Sequence, residues 1–108
     1  MWLAQFMALT LDEMRPVCKL MEDESSEARF AQRAQELRSA VDETAWDGRW
    51  YRRAYFDDGT PMGASGAPAC EIDSLPQSFS VLGGMPDEQR RNLALDSAVE
   101  KLVDWEQG

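Results

Sequence analysis

Between Thr44 and Gly63 the chain reads TAWDGRWYRRAYFDDGTPMG, and here the side chains able to do chemistry crowd together. Trp46, Trp50, Tyr51 and Tyr55 offer ring faces that can stack on a ligand or pack as a core, with Arg53 beside them. Asp57, Asp58 and, further on, Asp73 are the carboxylates nearest these rings, and a carboxyl is what general acid catalysis requires. Each group also has a structural use. The rings can pin a short ribbon to its surroundings as a small satellite core, which an isolated hairpin needs in water. Asp58 precedes Gly59 as a turn pair, Asp57 can pair across a ribbon with Arg52 or Arg53, and Asp73 sits at a helix start where the dipole favours an acid. Gln77 reads first as a capping-box partner of Ser74 and second as a ligand contact. Anchoring is the favoured reading of the rings, and the structural one of the acids.

The elements that must position these groups are mainly helical: four helices and one short β-hairpin in a single domain of residues 1–108. Residues 2–21 place Trp2, Phe6, Leu9 and Leu20 on an apolar surface that Leu3, Met7, Leu11, Met14 and Val17 widen nearly all round, so this helix expects neighbours on several sides. Residues 26–43 carry Phe30, Ala34, Leu37 and Val41 on one face. The alternating WYRRAYF, closed by Asp58-Gly59 as the positive-φ pair of a tight turn, predicts a hairpin over about 49–63. A third helix over about 75–83 follows Ser74, takes Pro76 in its first turn and stops at Gly83-Gly84. A fourth runs over about 87–106 with Ala94, Ala98, Leu102 and Trp105 as its apolar stripe.

Composition removes whole classes of function. Eleven basic against 20 acidic residues give a formal charge of -9, which repels the phosphates of DNA or RNA. There are no histidines, so Ser-His and Cys-His nucleophiles and the commonest transition-metal ligand are absent from the chain. Cys18 and Cys70 stand far apart without metal-ligand spacing and read as reduced, partly buried thiols of a cytoplasmic protein. The apolar first segment lacks a basic start and a cleavage site, and Asp12 and Glu13 interrupt it, so neither a signal peptide nor a membrane span is predicted.

The run AWDGRWYRRAYFDDGTPMG followed by CEIDSLPQSFSVLGG resembles a segment of glycoside hydrolase family ninety-four, which includes cellobiose and chitobiose phosphorylases and the phosphorylase-like part of cyclic β-1,2-glucan synthases. The match to the family's hairpin runs from Trp46 to Gly63, and WLAQFMALTLDEMRPVCKL and PDEQRRNLALDSAVEKLV are similar to its flanking helices. The resemblance implies part of an (α/α)₆ toroid, inverting phosphorolysis with inorganic phosphate as co-substrate and no cofactor. It makes Trp46, Trp50, Tyr51, Arg53 and Gln77 the candidate carbohydrate-binding residues. It also implies departures. The family's general acid, in an Asp-Trp-Asn-Asp motif, falls upstream of Met1, and its phosphate-binding histidine falls downstream of Gly108. Ala69, Glu71 and Phe79 stand where the family often has a charged residue, a residue of opposite charge and a tryptophan. The expectation is a fragment inactive alone; the alternative is a small independent binding or assembly module. Either should form a homo-oligomer through its first helix, whose apolar residues cannot all face one small core.

Overall fold

The computed structural model describes residues 1–106. It contains α1 (Trp2–Leu20), α2 (Glu24–Thr44), the ribbon strands β1 (Ala54–Tyr55) and β2 (Pro61–Met62), α3 (Ser74–Leu82) and α4 (Glu88–Leu102), so it is mainly α. α1 and α2 form a helical hairpin, α3 packs on α1, and α4 packs on α3. The α1–α2 connection is short because Glu22 takes a left-handed conformation (φ 55°), and the amides of Glu22 and Asp23 close onto the carbonyls of Lys19 and Cys18. Asp23 then caps α2 by accepting from the Ser26 amide at 3.0 Å.

Two clusters make the core. Ala8 and Leu11 of α1 meet Ala34 of α2, with Phe30 and Leu37 alongside. The larger cluster joins Val41, Ala45, Trp50, Tyr51, Ile72, Met85 and Ala94, and it lies where α2, the ribbon segment and α4 converge. The rings of the central stretch are therefore anchors at Trp50 and Tyr51, which are 1% and 0% exposed.

Several local expectations change. α3 is capped by Asp73, whose carboxylate accepts from the Leu75 amide at 3.0 Å; Ser74 is the first helical residue, and Gln77 is not a capping-box partner. α4 ends at Leu102, and Trp105 is 81% exposed beyond it rather than in an apolar stripe. Of the Asp58-Gly59 pair only Gly59 has positive φ: a β-turn over Phe56–Gly59 closes by the Gly59 amide on the Phe56 carbonyl at 2.9 Å. Arg52 and Arg53 pair with Asp47 and Asp73, so the cross-ribbon partner expected for Asp57 is taken elsewhere. Cys18 is buried, but Cys70 is exposed.

The ribbon register sets Ala54 opposite Met62 and Tyr55 opposite Pro61, and Gly63 follows directly with φ +71°. A Cβ there would lie 2.9 Å from the Arg53 nitrogen and 3.1 Å from its Cβ, so a side chain would both strain the backbone and push the strands apart. Gly63→Ala is expected to destabilise the protein by about 1–3 kcal/mol, read from the urea midpoint at unchanged m-value. A change within about 0.5 kcal/mol would show that the ribbon opens without cost.

Candidate functional site

The ribbon leaves α2 through a turn at Asp47–Trp50, where the Asp47 amide donates to the Trp50 carbonyl at 2.9 Å and Trp46 bridges to Tyr51. Trp50 is fixed by its indole N–H, which donates to the Gly63 carbonyl at 2.8 Å across the ribbon. Tyr51 is fixed at both ends. Its hydroxyl donates to Asp42 Oδ1 at 2.8 Å, and its backbone amide donates to Gln77 Oε1 at 2.7 Å. Burial and then the Asp42 hydrogen bond hold the Tyr51 phenol well above its ordinary range, so it stays a neutral donor.

Gln77 is the link between ribbon and helix. Besides accepting from Tyr51, its Nε2 donates to the Tyr51 carbonyl at 2.9 Å and to the Asp73 carbonyl at 2.7 Å, so one buried amide satisfies three backbone groups. Around it, Arg90 donates to the Asp42 carbonyl at 2.9 Å and stacks over Trp46 at 5.1 Å, while Trp46 meets Tyr51 edge-on at 5.0 Å.

Asp47 organises the outer side. One carboxylate oxygen accepts both Nε and Nη2 of Arg52 at 2.9 and 2.7 Å, and the other accepts the Ser65 amide at 2.6 Å. It thereby ties the turn, the ribbon and the small-residue loop together. Hydrogen bonds first to the Tyr55 hydroxyl and then to Asp47 keep the Arg52 guanidinium firmly charged. Tyr55 donates onward to the Thr44 carbonyl.

Of the five candidate carbohydrate-binding residues, Trp50, Tyr51 and Gln77 are all below 2% exposed, with no ring face or amide open to a ligand. Trp46 is half-buried, and Arg53 is exposed and pairs with Asp73 at 3.4 Å. Arg53 also lines a groove of about 390 Å³ between the ribbon (Phe56, Pro61, Met62) and the loop at Pro68 and Cys70. The carboxylates do not face each other across it: Asp58 caps its own turn through the Thr60 amide at 2.9 Å, and that bond holds it below the usual carboxylate range. Sequence reasoning missed Asp42, Asp47 and Arg90. Asp47 had a signal, an aspartate directly before the positive-φ Gly48; Asp42 and Arg90 had none, being helical surface types that become partners only by packing. Among the described residues no group of three or more His, Cys, Asp or Glu could hold a metal ion, and no helix is long and apolar enough to cross a membrane.

The model of the glycosyl hydrolase 94 superfamily catalytic domain matches residues 1–108. The chain is 38% identical over 105 residues to cyclic β-(1,2)-glucan synthase NdvB of Rhizobium meliloti, an alignment covering 97% of this chain and 4% of that protein. It is 25% identical over 101 residues to 3-O-β-D-glucopyranosyl-β-D-glucuronide phosphorylase of Paenibacillus borealis, covering 94% of this chain and 13% of the relative. To cellobionic acid phosphorylase of Neurospora crassa it is 31% identical over 83 residues, 77% of this chain and 10% of the other. The chain thus spans only a small fraction of the length of these curated relatives, and by its match from end to end it belongs to the glycosyl hydrolase 94 superfamily.

Proposed function

We propose that these 108 residues are a scaffold segment of a carbohydrate-active phosphorylase or glucan synthase, part of an (α/α)₆ toroid, and that they do not catalyse glycosyl transfer by themselves. The observation that carries this reading is the use made of the polar and aromatic groups. Trp50, Tyr51 and Gln77 are consumed in holding the ribbon, and Asp42, Asp47 and Asp73 are consumed in holding its neighbours. Inverting phosphorolysis needs a carboxylic acid on one face of the sugar and a bound phosphate on the other. Neither an unengaged pair of groups across a cleft nor a histidine for the phosphate is available within the described residues. In a complete catalytic domain the ribbon would support the sugar site from nearby, with Trp46 and Arg53 the groups still open to an oligosaccharide.

The isolated chain, incubated with cellobiose, chitobiose or β-1,2-glucan oligosaccharides and inorganic phosphate, is expected to release no sugar 1-phosphate above a blank. Release that scales with protein concentration would refute the scaffold reading.

A second reading, a cytoplasmic assembly module that reuses the fragment, is favoured by one observation. α1 turns Leu3, Phe6, Met7, Met14 and Val17 outward, each more than 40% exposed. A soluble monomer rarely leaves so much contiguous apolar surface open, and a homo-oligomer through α1 would cover it.

A further inference from the structure

Two aspartate-glycine pairs stand in the central stretch, Asp47-Gly48 and Asp58-Gly59, and such a pair can rearrange its own backbone. The nitrogen of the residue after an aspartate attacks the side-chain Cγ and closes a cyclic succinimide. The N–Cγ bond forms, the Cγ–O bond breaks, and the carboxyl hydroxyl and the amide hydrogen leave as water. Water then opens the ring. Opening at Cγ restores aspartate, whereas opening at the backbone carbonyl leaves the chain running through Cγ, an isoaspartate with one more carbon in the backbone. The water lost is regained, so no oxidant or further reactant is needed. Glycine favours the attack because it has no Cβ to crowd the nitrogen.

We propose that the ribbon tip is a modification site, where Asp58 isomerises to isoaspartate through the Gly59 nitrogen while Asp47 is spared. The two glycines are alike. Both are exposed, both have positive φ (98° at Gly48, 88° at Gly59), and a Cβ on either would meet nothing within 4 Å. The carboxylates differ. The Asp47 side chain is 8% exposed; one oxygen accepts Nε and Nη2 of Arg52 and the other accepts the Ser65 amide. Its Cγ therefore cannot turn to the Gly48 nitrogen without breaking three charge-assisted bonds together. Asp58 is exposed, and among the described residues no cation pairs with it; its carboxylate accepts the Thr60 amide at 2.9 Å, a bond of the same turn. The Gly59 nitrogen is tied by one bond, to the Phe56 carbonyl, at a loop tip where local opening costs least. At Asp73-Ser74 and Asp96-Ser97 the attacking residue carries a side chain and lies within a helix. The extra carbon falls between Phe56 and Thr60, where the Phe56 amide donates to the Thr60 carbonyl at 2.8 Å, so isomerisation loosens the tip. The base of the ribbon keeps its bonds from Trp50 to Gly63 and from the Arg53 amide to the Met62 carbonyl. Phe56 and Thr60 also line the groove beside Arg53, so the modified chain carries an altered groove wall on an intact body.

The test ages the intact chain in heavy-oxygen water at mildly acidic pH, once folded and once in urea. Peptide mapping with electron-transfer fragmentation tells isoaspartate from aspartate at each site, and every passage through the ring leaves a heavy oxygen in the carboxyl even where aspartate is restored. In the folded chain Asp58 is expected to take up label about tenfold faster than Asp47 or more, with isoaspartate accumulating at Asp58. In urea no bond distinguishes the two sites, and their rates should agree within about threefold. Arg52→Lys keeps the charge but not the paired donors to Asp47, and it should raise the Asp47 rate in the folded chain by about threefold or more. Asp47 labelling as fast as Asp58 in the folded chain, no isoaspartate at Asp58, or a gap that persists in urea overturns the proposal. An Asp47 rate that Arg52→Lys does not move overturns the account of why Asp47 is spared.

Discussion

Trp50→Ala is expected to lower stability by about 3–5 kcal/mol, the largest single loss in the molecule. The ring is 1% exposed and belongs to the cluster that joins α2, the ribbon segment and α4. Truncating it removes the apolar burial and leaves a cavity that these separate elements cannot close together. It also removes the donor to the Gly63 carbonyl, leaving that acceptor short of its 2.8 Å partner. A domain of this size is held by roughly 5–15 kcal/mol in all, so the variant should sit near its unfolding midpoint at moderate urea. Trp50→Phe separates the two contributions, since it keeps most of the volume but not the N–H. Equilibrium urea unfolding followed by circular dichroism is the measurement. A loss below about 1 kcal/mol would mean that the ring is not an anchor, and would return it to the candidates for stacking on a sugar.

How much of this was legible beforehand divides along the range of the interactions. α1 and α2 are written in apolar periodicity, and the ribbon in the alternation around Trp50 to Phe56, because the repeat of each element shows within its own sequence. The cap of α3 lies one residue before the position the capping pattern predicts, because Asp73 and Ser74 are both good N-cap types and only the hydrogen bond to Leu75 distinguishes them. α4 is shorter than its apolar periodicity predicts: Trp105 falls in phase with Ala98 and Leu102, but Leu102 is half-exposed and Trp105 almost wholly so, hence burial does not reward another helical turn there. The site was less legible than the fold. Asp42 pairs with Arg90 from 48 residues away, and nothing local to either residue announces it. Asp47 was within the highlighted stretch, yet its partners Arg52 and Ser65 lie on two other segments that only the folded ribbon brings to it. The resemblance to the family located the stretch that matters without saying which of its rings face inward.

Gln77 shows the same limit and yields the sharpest test of the ribbon's attachment. Local pattern made it a capping residue; in the fold it is a buried clamp whose amide accepts from the Tyr51 N–H and donates to the Tyr51 and Asp73 carbonyls. Gln77→Leu nearly conserves volume, so a cavity is not the cause of any loss. What the substitution removes is the partner of a buried N–H and of two carbonyls, with desolvation costs of about 1–3 kcal/mol for each group left unmade. Water can reach the Asp73 carbonyl, on a half-buried residue, more readily than the Tyr51 backbone, so the net expectation is a loss of about 2–4 kcal/mol. The defect should also be local. Amide hydrogen exchange at Tyr51 should accelerate by more than the global destabilisation explains, while exchange in the middle of α2 should track the global value. Gln77→Glu keeps an acceptor for the Tyr51 amide but, once ionised, turns two acceptors toward a carboxylate, and it should be at least as damaging as leucine at neutral pH and recover in part as the pH falls and the carboxyl regains a donor proton. Leucine and glutamate variants both within about 0.5 kcal/mol of the parent, with unchanged exchange at Tyr51, would show that the ribbon is held by its rings alone.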